Sequence, residues 1–208
     1  IERGQNALSQ AEAHLTQAVR LDGTVPSAWI NLAGIHVSRN NLPKAEATLR
    51  QGIKINPGNA LLEFELANIY DAMGKSASAN ALYKNILSAY PNYLPALNNI
   101  ALNLAESGDL NTARSYAKNA YQADPRNPAI KDTYGWVLVL SGDVGSGIPL
   151  LIEAARALPN DTTVMYHLGS GLIKAGKSPE GKQYLNRALG AGLPASLQRK
   201  AQALVDAR

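Results

Sequence analysis

Apolar and small positions recur along this chain with a step of 34 residues. Ala33, Ala67, Ala101, Gly135 and Gly169 form one series. Gly74, Gly108, Gly142 and Gly176 form a second, and Pro57, Pro91, Pro125 and Pro159 a third. Three registers sharing one period predict stacked helical hairpins, each burying its apolar face on its neighbours. Counted from Pro26, a repeat holds Trp29, Leu32, Ala33, His36, Ala45, Leu49, Gly52 and Pro57. The repeat from Leu94 is the most regular, with Leu97, Ile100, Ala101, Leu104, Ala113, Ala117, Ala120 and Pro125. Each type has a physical role. The small residue at place eight lets the first helix of a hairpin, helix A, approach the second, helix B. The glycine near place fifteen ends helix A in a left-handed cap. Proline at place thirty-two cannot continue helix B.

This pattern resembles the tetratricopeptide repeat family. The resemblance implies an all-α, right-handed superhelical solenoid of antiparallel helix pairs, a single array over residues 1–208. Its repeats are 26–59, 60–93, 94–127, 128–161 and 162–194, with a capping helix over 195–208. Glu63 and Ile86 depart from the pattern, and the last proline slips to Pro194. Ala11, Leu15 and Ala18 keep the register of a helix B, so residues 1–25 read as half a repeat. A bare half repeat suggests a fragment of a longer protein, with Leu8, Leu15 and Val19 partly uncovered and able to pair two copies. The stretches PALNNIALNLAESGDL (Pro95–Leu110) and DTYGWVLVLSGD (Asp132–Asp143) resemble bacterial repeat proteins of envelope and exopolysaccharide systems. That implies a periplasmic or envelope setting, with a cytoplasmic one as the alternative.

Composition narrows the classes. Apolar residues make up 46% of the chain and charged ones 17%, which is a folding composition. There is no cysteine, so disulfides and thiolate metal sites are excluded. No apolar run reaches the ~20 residues needed to span a bilayer. The net charge of +4 is uneven: residues 162–208 hold seven Lys/Arg against Glu180 and Asp206. Without interleaved aromatics, this basic end reads as a solvated cap rather than a nucleic-acid surface.

Gly171–Ser178, GLIKAGKS, satisfies the phosphate-loop pattern. A nucleotide hydrolase is therefore the alternative function class. A phosphate loop needs a preceding strand and exposed backbone N–H groups. The repeat register instead places Gly171–Ala175 inside a helix A, and Gly74-Lys75-Ser76 takes the same turn elsewhere. Ser141–Gly147 and the sequon Asn160-Asp161-Thr162 read as interhelical turns. His14, His36 and His167 lack ligand spacing. The expectation is no catalysis, no cofactor and no metal.

The family resemblance places the ligand groove on helix A at places two, five, six, nine, twelve and thirteen. This selects Phe64, Glu65, Asn68, Asp71, Asn98, Asn99, Glu106, Asp132, Trp136, Tyr166 and His167. Asn68 and Asn99 match two asparagines of the family's carboxylate clamp. Phe64, Ala129 and Thr133 stand where that clamp has basic residues, so an acidic C-terminal tail is not expected. Between residues 60 and 107, helix A carries Glu63, Glu65, Asp71 and Glu106 without Lys or Arg. The expected partner is a protein or extended peptide, basic or neutral, anchored on Trp136 and Tyr166. A purely structural spacer is the third reading.

Overall fold

The structure, a computed structural model, describes residues 2–207, with side chains from Ala7 onward. Twelve α-helices follow one another, and the described residues contain no strand. The chain divides into two compact units, Ile1–Ala96 and Leu97–Arg208.

The first unit contains α1 (Glu2–Leu21), α2 (Pro26–Ser38), α3 (Leu42–Ile55), α4 (Ala60–Ala72) and α5 (Ser76–Ala89). Each helix packs on the next, and α2 also touches α4, so the A helices lie side by side. Trp29 anchors the first hairpin. Its ring lies where any side chain at Gly52 would stand, with Trp29 Cγ 2.8 Å from an ideal Cβ there. Its Nε1–H donates to Gly23 O at 2.8 Å, closing the α1–α2 turn. Val19, expected to be bare, is buried, while Leu8 and Leu15 are half-buried.

The helix α6 (Leu94–Ser107) begins in the first unit and runs into the second. The second unit continues with α7 (Leu110–Ala123), α8 (Pro128–Leu140), α9 (Val144–Ala157), α10 (Thr162–Lys174), α11 (Ser178–Gly190) and α12 (Ala195–Asp206). Here α10 touches α8, α9, α11 and α12. The last helix takes the place of a further helix A, with Ala201 fully buried. In the hairpins α8–α9 and α10–α11 the helices meet backbone to backbone. A Cβ on Gly147 would lie 2.6 Å from Gly135 O, and one on Gly181 2.6 Å from Gly169 O.

The turns explain the periodic glycines and acids. Gly74, Gly108, Gly142 and Gly176 all have φ between +72° and +90°, a region closed to most side chains. One step earlier stands Asn40, at φ +56° and the single non-glycine in this conformation among the described residues. Asn tolerates it because its short polar side chain bonds locally. Directly after these left-handed residues, Asn41, Asp109 and Asp143 accept a hydrogen bond from a first-turn N–H of helix B. Lys75 and Lys177 occupy the same place and supply no cap.

Candidate functional site

Four of the selected residues meet in the second unit. Asp132 and Trp136 lie one turn apart on α8, and Tyr166 and His167 lie on α10. His167 Nδ1 is 2.7 Å from Asp132 Oδ2, and both residues are buried. The imidazole stacks on the Trp136 indole with centroids 4.6 Å apart and planes 14° apart. Tyr166 meets Trp136 edge-on at 5.9 Å. The aspartate thus orients the imidazole, and the imidazole fixes the indole face. Trp136 is only 8% exposed and belongs to the core cluster with Val139, Leu151 and Met165. It is a core residue that also lines a cavity.

A cavity of about 300 Å³ opens above this cluster. Trp136, Tyr166, His167 and Ser170 line one side, and Glu106 and Lys174 also contribute. The capping helix closes it with Leu197, Lys200 and Leu204. Burial pushes the Tyr166 phenol above its ordinary range, and the Glu106 carboxylate adds to this. Ser170 pulls the other way, although its buried Oγ completes no hydrogen bond of normal geometry. Lys174, Ser170, Leu197, Lys200 and Leu204 were not selected from the sequence. Lys174 does fall at groove place thirteen of its repeat. The three α12 residues stand 34 residues after Thr163, Tyr166 and Ser170, so the period carried one step past the last repeat points to all three.

The remaining selected residues are spread out. In the first unit the Tyr83 hydroxyl lies 3.0 Å from Asn68 Oδ1 and 2.7 Å from Asp71 Oδ2, directing its one proton toward them. Phe64 packs against Tyr83 and Tyr93, with centroids 5.9 and 5.7 Å away. Glu65 lines a separate cavity with Leu8, Ile30, Asn31 and Ile69. Glu63, counted with the groove carboxylates, is buried and accepts from Asn85 Nδ2 at 2.8 Å. In the second unit Asn98 and Asn99 are half-buried, and Asn98 Oδ1 has no hydrogen-bond partner. Glu106 is exposed.

GLIKAGKS lies where the register predicts. Gly171–Lys174 is the last turn of α10. The N–H groups of Ala175, Gly176 and Lys177 donate to Gly171 O, Ile173 O and Leu172 O at 2.9–3.0 Å. They are spent on closing the helix rather than turned toward a ligand. Gly171 is a packing glycine, since a Cβ there would lie 2.9 Å from Ile148 Cδ1. Asp161, from the sequon, caps α10 by accepting from Thr163 N and Val164 N at 2.9 and 3.1 Å. His36 is buried and 3.8 Å from Glu12 Oε1. The described residues contain no cluster of three metal-binding side chains and no helix long and apolar enough to cross a membrane.

Known proteins share this architecture. Residues 3–62 and 64–128 each match a sequence model of the tetratricopeptide repeat family. The chain is 28% identical over 166 residues to cellulose synthase operon protein C of Pseudomonas fluorescens, covering 76% of this chain and 13% of that protein. It is 24% identical over 184 residues to cellulose synthase 1 operon protein C of Komagataeibacter xylinus, covering 83% and 14%. The chain therefore spans about one seventh of these relatives. Among solved structures, a chain of the APC/C hetero-tetramer Cut9-Hcn1 superposes with a TM-score of 0.77 at 15% identity, over 96% of this chain and 39% of that one. The period of 34, the left-handed glycine turns, the crossed helix pairs and these matches agree: the chain belongs to the tetratricopeptide repeat family.

Proposed function

We propose that this protein is a non-catalytic scaffold that holds an extended segment of a partner protein and serves the assembly of a bacterial envelope complex for polysaccharide export. The observation that carries the reading is the cavity walled by Trp136, Tyr166 and His167. It is concave and largely apolar, with a few convergent polar groups, as binding sites are. Its aromatic wall is the residue class enriched in binding hot spots. The envelope setting is supported by the names of the two operon-C relatives. In the first unit α4 carries the half-buried Glu65 and Asp71 and no Lys or Arg, so a segment lying there is neutral or basic.

The test is capture of envelope proteins from a bacterial extract by the protein and by its Trp136→Ala variant, followed by titration of the captured segment. A specific partner that the variant binds more weakly by ~1 kcal/mol or more supports the reading. Equal capture by both forms would refute the site. A partner-free protein joining folded neighbours would favour the spacer.

A further inference from the structure

The cavity of the second unit carries charge that the helix-A carboxylates do not foretell. Lys174 on α10 and Lys200 on α12 both line it, and Glu106 is its one carboxylate. Two other cations of the unit are paired with carboxylates: Arg114 lies 3.0 Å from Asp143 Oδ2, and Lys131 2.6 Å from Glu153 Oε2. Lys174 and Lys200 belong to no ion pair among the described residues, and both are exposed. Trp136, Leu140, Leu197 and Leu204 give the same cavity an apolar floor. Ser170 lines the same cavity, 3% exposed, with its hydroxyl unpartnered. A buried hydroxyl without a hydrogen bond costs free energy that an occupant with a polar group would recover.

We infer that this cavity takes a partner's apolar side chain with a carboxylate directly beside it, the side chain on the Trp136–Leu204 floor and the carboxylate between Lys174 and Lys200. The inference rests on the binding reading above and specifies the chemistry of its occupant. The volume suits one large side chain rather than a folded element. Two cations against one anion at the rim favour an acidic neighbour over a basic one, which Glu106 alone would attract. The backbone amide or hydroxyl of the occupant meets Ser170. The acidic α4 of the first unit and this basic rim thus ask for opposite charge, and a uniformly basic segment suits only the former.

A random peptide library displayed on phage, selected on the whole protein, tests this. The expected result is a set of peptides sharing one large apolar residue flanked by Asp or Glu, lost on the Trp136→Ala variant. A selected peptide and its Asp→Asn and Asp→Lys versions are then titrated by fluorescence anisotropy. Replacing both rim lysines (Lys174→Gln, Lys200→Gln) is expected to weaken the acidic peptide about twofold to fivefold per lysine and leave the Asn version unchanged. Added salt is expected to erase the difference between the two. Both lysines are exposed, so the fold survives these changes. Trp136-dependent peptides with no acidic preference, or with a basic one, would overturn this inference and leave the binding reading intact. Failure to select any Trp136-dependent peptide would overturn both.

Discussion

Gly147→Ala adds one methyl group where two helices cross. The new Cβ would stand 2.6 Å from Gly135 O, 2.8 Å from Val139 Cγ2 and 3.1 Å from Val139 N. Two of these three atoms are backbone, so no rotamer change relieves the clash. Helices α8 and α9 must separate by roughly half an ångström or more to restore ordinary contact distances. Overpacking of this kind costs about 1–3 kcal/mol. Alanine's better helix propensity returns up to about 1 kcal/mol. The net expectation is a loss of about 1–2 kcal/mol, or roughly 2–8 °C in melting temperature for a chain of this size. Gly145→Ala is the matched control. It lies on the same helix with nothing within 4 Å of its Cβ, so propensity alone acts and the midpoint stays or rises. Thermal and urea unfolding followed by circular dichroism measures both. A Gly147→Ala midpoint at or above the parent's would refute the backbone-contact geometry.

Ala101→Leu, at the place of α6 that Gly135 takes on α8 and fully buried, is expected to cost about 1–3 kcal/mol by overpacking, read from the same unfolding curves. Lys177→Asp supplies the cap that Asp109 and Asp143 supply elsewhere, and is expected to raise stability by about 1 kcal/mol. In a nucleotide-binding assay Lys177→Ala is expected to change nothing, because the loop's N–H groups are spent. Asn40→Gly relieves the left-handed strain at φ +56° and should gain up to about 1 kcal/mol. Burial holds the His36 pKa below its ordinary value, with nearby Lys44 adding to this and Glu12 opposing it. The unfolded chain therefore binds the proton more readily, and His36 contributes stability that is fully present above about pH 6.5. That contribution is lost as pH falls from there through the lower folded value. The melting temperature should drop over this window, and less so in His36→Gln.

The repeat register was legible because backbone geometry admits few residue types at its turns. Left-handed caps need glycine, and helix starts need a short acceptor, so both leave marks in the sequence. Asn40 was legible too, one step of 34 before Gly74, but a glycine series alone passes over it. The pairing of Asp132 with His167 follows from adjacent groove places in consecutive repeats. Its burial does not, since periodicity fixes which face a residue takes but not how deeply its neighbours cover it. Asn68 and Asp71 show the same limit. The register gives both a groove place, and Tyr83 reaches across from helix B to occupy their oxygens. The cavity's far wall lies beyond the last full repeat, yet Leu204 stands two steps of 34 after Trp136 and one after Ser170, so the period extended into α12 reaches it.

The backbone crossings of α8–α9 and α10–α11 bear on binding as well as on folding. Trp136, Tyr166, His167 and Ser170 all stand on α8 and α10, the two A helices whose partners approach them to backbone contact at a pair of glycines. Backbone contact sets the spacing at each crossing, and no side-chain rotation alters it, so the aromatic wall is held before any occupant arrives. A segment docking there forfeits its own conformational freedom but asks almost none of the protein. On the aromatic side of the cavity the entropy of association then falls mainly on the partner.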